Sequence, residues 1–523
     1  MSGSRALYTA LAARLTELSH LRSVSALLSW DQAVMMPGKG AESRSAQSSA
    51  LAGIVHERET SVELGELLAR VEASLASHSG ATLTSKKTES SVSETPLNIY
   101  EKATVRDARR NFDRESRVPA QLSKRMAELQ SSGYVAWVSA RESDSWESFS
   151  PVLSEWVEVV RQLAHHVDPE KTPYDVALDR FERGLTTARL DAVFATLKAG
   201  ILPLIQRIRE KGWQPQDDFL QNKAFDIDAQ KAFNVQLVKD LGFDMEAGRL
   251  DVSVHPFTCS ISPTDVRMTT RYKPDNLVEG ITGSIHECGH SLYEQGLNKD
   301  HVGLPVADAL SMGIHESQSL LWERMVGLSL PFWTHYHPIL LKTFPKITPP
   351  PTPSTLYAAL NKVVPGLIRV ESDEVTYAAH ILLRYEIERD LINGILPVSA
   401  VPSLWNEKMK SYLGVSVPDN KTGCLQDVHW SSGLFGYFPT YTLGAIYAHQ
   451  FFNQARKDIP DLETQISNGH FLGLKTWLNT NVHKHGSLYP SGDELCVKVT
   501  GKPLDADGFV KYLETKYSKI YDL

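Results

Sequence analysis

Cysteine is scarce in this chain of 523 residues: Cys259, Cys288, Cys424 and Cys496 stand alone and far apart. Such spacing excludes a disulfide framework and a CxxC zinc ribbon, and it makes a reduced, cytoplasmic setting the expectation. Long apolar runs are also missing. No uncharged stretch approaches the roughly 18 residues that a membrane span needs. The N-terminal MSGSRALYTALAARLTELSHLRS is amphipathic at helical spacing and lacks the apolar centre of a signal peptide. Positive charge is not in excess either. A net charge of −8 leaves no electrostatic footprint for nucleic acid or an anionic membrane. Internal repeats are absent.

What remains is a globular composition, 42% hydrophobic and 22% charged, in a chain long enough for a large core. Most of the first 250 residues carry helical periodicity, beginning with Leu11, Leu15 and Leu18 and continuing through Val24, Leu27 and Leu28. Two stretches break the pattern. Residues 77–96 are rich in Ser, Thr and Lys and predict an exposed loop or hairpin tip. The proline run at 347–355 predicts an extended connection. Heavy helix on both sides of each break points to one α-rich unit over 1–523.

Residues 251–272 differ. Here β-branched and polar residues alternate, with Val266, Met268 and Thr270 on one face and Asp265, Arg267, Thr269 and Arg271 on the other. A hairpin or small sheet is expected there, just before a segment that carries chemistry. That segment contains His286-Glu-Cys-Gly-His290. Ile281, Ile285, Cys288 and Leu292 recur at helical spacing, with a turn at 273–276 before them and Gly296 suited to a left-handed stop after them. His286 and His290 then leave one helix face a turn apart, as two zinc ligands must. Glu287, one position round, can take a proton from an activated water. Cys288 falls on the apolar stripe and reads as a buried hydrophobe.

A third ligand is needed. The stretch 311–325 has Leu310, Ile314, Leu321, Met325 and Leu328 at helical spacing and offers Glu316, 26 residues beyond His290, with His315 as its rival. Two His and one Glu leave a coordination position open, as a catalytic site requires. Amide hydrolysis is the reaction such a site supports, and the small sheet offers an edge for an extended peptide.

The chain is similar to the carboxypeptidase Taq family of metallocarboxypeptidases. The resemblance rests on ordered motifs: His255-Pro-Phe257, Asp265-Val-Arg-Met-Thr269, HECGH at 286–290, His315-Glu-Ser-Gln318, Ile368-Arg-Val-Glu-Ser-Asp373 and Gly423-Cys-Leu-Gln-Asp-Val-His-Trp430. LSWDQAVMMPGKGAESR at 28–44 and FGYFPTYTLGAIYAHQ at 435–450 flank them. Ser372 stands where the family usually has Ala, a small-for-small change, and the Ser/Thr-rich stretch resembles an insertion. The resemblance implies one Zn2+ per subunit, replaceable by Co2+, on His286, His290 and Glu316, with Glu287 as general acid/base. It implies an almost wholly helical fold, two halves about a deep groove as in neurolysin and angiotensin-converting enzyme. It further implies a homodimer releasing single residues from free peptide C-termini with broad preference.

Physical chemistry then proposes roles for other motif residues. A terminal carboxylate calls for a guanidinium, with Arg369 the first candidate and Arg267, which shares a strand face with Asp265, the second. His255, Asp265 and Thr269 belong to the same substrate-binding set, although His255 before a proline reads rather as an anchor of the hairpin. A developing oxyanion calls for donors, and the resemblance implies that His429, Tyr437 and Tyr441 stand where the related helical peptidases would place them. Spacing does not choose between the two tyrosines. Gln426, Asp427 and Trp430 read as packing and supporting residues. A zinc endopeptidase or dipeptidase remains an open alternative, as does a helical scaffold without catalysis.

Overall fold

A computed structural model of the chain describes residues 3–79, 96–221 and 223–523. It is mainly helical, with one small sheet. Helix starts are written locally in the sequence. Asn98 and Glu101 form a reciprocal capping box, and Thr172, Thr186, Asp226 and Ser329 each accept a backbone N–H in the first turn of the helix they precede. Among the described residues no helix is long and apolar enough to cross a membrane.

The first helix, Ser4–Val34, buries Leu11, Leu15 and Leu18 as expected. Its apolar stripe does not continue to Val24 and Leu27, which are 47% and 36% exposed. Leu11, Leu15 and Leu18 belong to a small core with Leu64, Leu68, Val71 and Val105, separate from the large core that runs from Leu122 to Tyr521. The break expected at 77 comes later, because the helix Val62–Ser79 carries through Ser77 and His78. The rest of that stretch, 80–95, lies outside the described residues. The proline-rich stretch is not extended throughout. Pro353 opens the helix Pro353–Leu360 behind the cap Thr352, since a proline in the first turn gives up an N–H that has no helical partner.

The sheet comprises β1 (Gly248–Val252), β2 (Thr258–Ser262) and β3 (Asp265–Thr270), in spatial order β1-β3-β2. β2 and β3 form the expected hairpin, with Cys259 opposite Arg267 and a bulge between Ser260 and Ser262. β1 adds in parallel, Gly248 opposite Val266. The first helix lies across β2, where Ser23 Oγ donates to the Ile261 carbonyl (2.8 Å) and Cys259 Sγ to the Ala26 carbonyl (3.4 Å). That contact occupies part of the edge expected to receive a peptide. Thr269 is fully buried rather than sharing the half-exposed face of Asp265 and Arg267, because the loop before β2 folds over it.

The helix Leu277–Gly296 follows the turn at 273–276, and Asn276 caps it. Ile281, Ile285, Cys288 and Leu292 are at most 3% exposed, so the stripe is as expected. Gly296 does not provide a left-handed stop. It is the last helical residue, followed by Leu297 in extended conformation. A Cβ at Gly296 would come within 2.6 Å of Asn479 Nδ2 and His483 Nδ1, so close packing against residues 479–483 explains this glycine. The second expected helix is interrupted. An α-helix, Met312–Leu320, passes into a π-helical segment, Leu321–Gly327.

Candidate metal centre and its neighbours

The helices Leu277–Gly296 and Met312–Leu320 touch backbone to backbone at Gly289. A Cβ there would meet the Gln318 carbonyl oxygen at 2.5 Å and the Ser319 Cα at 2.6 Å. The glycine inside HECGH therefore sets how near the second helix comes. That helix is docked at its N-terminus by Glu182, a buried carboxylate that accepts from Ser311 Oγ (2.9 Å) and the Gly313 N–H (3.1 Å). Burial pushes the Glu182 carboxyl up to about 7, although these two donors oppose the shift.

The close approach brings His286, His290 and Glu316 together, with one donor atom from each within 4.8 Å of the others. Glu316 Oε2 lies 3.4 Å from His290 Nε2 and 3.9 Å from His286 Nε2. Two ligands about 2.0–2.1 Å from a tetrahedral ion stand about 3.4 Å apart, so the spacing fits a divalent cation. The hydrogen bonds fit too. His286 Nδ1 bonds Glu323 Oε2 at 2.7 Å and His290 Nδ1 bonds the His315 carbonyl at 3.1 Å. In the neutral rings each Nδ1 carries the proton, which leaves both Nε2 lone pairs facing Glu316. His315, the rival of Glu316, is turned away. Its Nε2 pairs with Glu294 (2.8 Å) while its ring stacks on His290 at 4.4 Å.

Charge in this corner is strongly negative. Burial would lower the His286 pKa, yet Glu323, Glu316 and Glu287 raise it to about 10. Glu316 is brought down to about 2 against its burial by His290 and His286. Glu287 is 6% exposed, and its Oε2 accepts from Thr258 Oγ1 at 2.7 Å. The same hydroxyl bonds the Glu287 carbonyl (3.0 Å), so β2 fixes both ends of this residue.

A second corner is built around Asp427. Arg369 donates Nε to Asp427 Oδ1 (2.9 Å) and Nη1 to the Tyr377 hydroxyl (2.8 Å). Arg384, wholly buried, donates Nε to Asp427 Oδ2 (2.7 Å), and Gln426 Oε1 receives both Arg384 Nη2 and the Arg369 N–H. Burial would raise the Asp427 pKa, but the two guanidinium groups hold it far below the usual carboxylate range. His429 Nε2 meets the Tyr441 hydroxyl at 3.1 Å. Burial, reinforced by Arg369 and Arg384, lowers His429 to about 3 and keeps it neutral. Arg369 lies 4.9 Å from the Tyr441 ring centre, and Tyr437 packs edge-on to Tyr441 at 5.4 Å. The pKa values of both tyrosines are raised, first by burial.

The remaining expected site residues sit at the sheet. Arg267 is fully paired with Asp265 (2.8 and 2.9 Å) and lies over the Trp30 ring at 4.4 Å. Asp31, next to Trp30, pairs with Arg44 at 2.6 Å, which accounts for both ends of the LSWDQ…ESR stretch. The Thr269 hydroxyl receives the Phe257 N–H (3.0 Å) and contacts Ser253 Oγ (2.6 Å), pinning the His-Pro-Phe loop. The His255 side chain is exposed. Glu323, Thr258, Tyr377 and Arg384 were not anticipated. Glu323 had a signal, being seven residues and about two turns past Glu316. Thr258 had none, because nothing local says which strand residue will meet Glu287.

The model of the carboxypeptidase Taq (M32) metallopeptidase family matches residues 10–517. The chain is 40% identical to thermostable carboxypeptidase 1 of Thermus thermophilus over 514 residues, covering 97% of each chain. It is 34% identical to carboxypeptidase 1 of Bacillus subtilis over 507 residues, again covering 97% of each. Among solved structures, the M32 carboxypeptidase of Deinococcus radiodurans superposes with a TM-score of 0.92 at 33% identity, covering 99% of this chain and all of the other. Metallocarboxypeptidase 1 of Trypanosoma cruzi gives a TM-score of 0.90 at 34% identity over 98% and 99% of the two chains.

Proposed function

The chain belongs to the carboxypeptidase Taq (M32) family and is a metallocarboxypeptidase; we propose that it removes single residues, with broad preference, from peptides with a free C-terminus, using Zn2+ on His286, His290 and Glu316. The observation that carries this reading is the convergence of three ligand atoms within 4.8 Å, with both Nδ1 atoms committed elsewhere. When bound, a divalent ion supplies Lewis acidity, polarising the scissile carbonyl and making water a nucleophile at neutral pH.

The protein groups do the rest. Glu287, held by Thr258, takes the proton of the attacking water and passes it to the leaving nitrogen. Glu323 and the His315 carbonyl fix the two imidazoles in the ligating tautomer. Arg369 is the reader of the terminal carboxylate. It shares the single charge of Asp427 with Arg384, so that corner keeps a net positive charge, whereas Arg267 is neutralised bidentately by its own Asp265. Tyr437 and Tyr441 keep their protons at neutral pH and can donate to a developing oxyanion, with His429 positioning Tyr441. Asp265, Thr269 and His255 shape the neighbouring loop. Cobalt substitution, a cytoplasmic homodimer and two halves around a groove within one domain complete the proposal, on the family resemblance alone.

The test is mass spectrometry of the products from a mixed peptide set, with and without chelator. Ladders shortened one residue at a time from the C-terminus, and lost on chelation, are expected. Internal cuts, or ladders that survive chelation, contradict the reading.

A further inference from the structure

Behind the π-helical segment lies a cavity of about 530 Å³, walled by Leu321–Gly327, the helix Pro439–Asp458 and the C-terminal helix Ala506–Tyr521. Its size is that of a small-ligand site. Charge in its wall is one-sided: Arg324, Arg456, Lys511, Lys516 and Lys519 against the single carboxylate of Glu463. Two of these cations are matched, Arg456 by Glu463 (2.8 Å) and Lys516 by Glu374 (2.7 Å). Lys511 and Lys519 are exposed and form no ion pair with any described residue. Tyr357 and Phe452 add aromatic surface to the same wall.

Arg324 is the telling residue. It is 7% exposed, yet none of its five donors reaches a hydrogen-bond acceptor among the described residues. Its one close partner is the Tyr377 ring, 5.0 Å away. The carboxylates that surround it are engaged elsewhere: Glu323 with His286, Glu316 with His290, and Glu374 with Lys516, Tyr512 and Tyr517. Burial alone would lower the Arg324 pKa, but the charges of Glu323 and Glu374 raise it, so the guanidinium stays charged, and an anion in the cavity would give its unused donors a direct, charge-assisted partner.

We propose that this cavity is a second ligand site, separate from the metal centre, which takes a small organic anion with an aromatic or branched aliphatic body. The anionic group pairs with Arg324, Lys511 and Lys519 steer it at the rim, and Tyr357 and Phe452 cover the body. The site does not depend on the reading of the metal centre.

Phenyl phosphate is a suitable probe, titrated calorimetrically into metal-loaded and chelator-treated protein, with inorganic phosphate and benzyl alcohol as the charge-only and ring-only arms. One site per chain is expected, with phenyl phosphate about tenfold tighter than either arm and binding retained after chelation and in the presence of a peptide substrate. Arg324→Gln should weaken binding about tenfold or more, as the loss of a charge-assisted pair implies. The rim pair Lys511→Gln with Lys519→Gln should weaken it by a smaller factor and leave peptide hydrolysis unchanged; it decides the matter alone if Arg324→Gln does not fold. Absence of binding, loss of binding on chelation, competition with peptide, or indifference to the lysine pair overturns the proposal.

Discussion

Around His286, three carboxylates crowd two imidazoles; around Asp427, two guanidinium groups share one carboxylate. The two corners use the same means, a surplus of one charge held by buried hydrogen bonds, with opposite sign. On the proposed function, the first would take the cation and the second the carboxylate end of a peptide. They also differ in how their surplus is supported. The metal corner is assembled from two helices crossing at Gly289 and a strand, while the arginine corner joins the short turn Arg369–Glu371, the helix Glu374–Ile392 and the 423–441 region folded against them.

The sharpest break between the corners is chemical. Glu287→Gln should lower kcat by about 10³-fold while metal content, measured by elemental mass spectrometry, stays at one per chain. Retained turnover removes Glu287 from the proton transfer. The next effect falls on the arginine corner. Asp427→Asn leaves two buried guanidinium groups sharing a neutral partner and should cost about 3–5 kcal/mol, seen as a lowered urea midpoint. An unchanged midpoint would mean that Arg369 and Arg384 are solvated rather than paired. On the metal side, Glu323→Gln should weaken metal affinity about 10–100-fold, read by competition with a chromogenic chelator, without altering the fold. A smaller effect belongs to Glu388. This buried carboxyl accepts from Tyr174, Trp430 and the Gly436 N–H, and so holds the loop carrying His429 and Tyr437. Burial raises its pKa to about 7 against those donors. The folded state then binds the proton more tightly than the unfolded one, so stability falls as pH rises from about 4.5 to about 7. Glu388→Gln should flatten that slope in urea midpoints taken at pH 5 and 7; an unaltered slope assigns it to another group.

The comparison also separates what the chain states locally from what it does not. HECGH and Glu316 were legible because helical periodicity converts spacing into facing, and Cys288 on the apolar stripe follows from the same rule. The small hairpin was legible from alternation. The π-helical segment was not, since its apolar residues keep the same spacing as an α-helix would. Gly296 resembles a helix stop in sequence because its actual reason lies 183 residues away, at Asn479. For the arginine corner, sequence supplies residue types without their partners. The pairing of Arg267 with Asp265 is two residues long and visible in sequence; that of Arg369 and Arg384 with Asp427 spans more than forty residues and is set by packing alone.

The most direct measurement compares one peptide as free acid and as C-terminal amide, by product mass spectrometry with the metal-loaded protein and its Arg369→Ala variant. Loss of one residue from the free acid, none from the amide, and a raised KM for the free acid in the variant are expected. Equal cleavage of acid and amide, or a variant with unaltered KM, would contradict the proposed function.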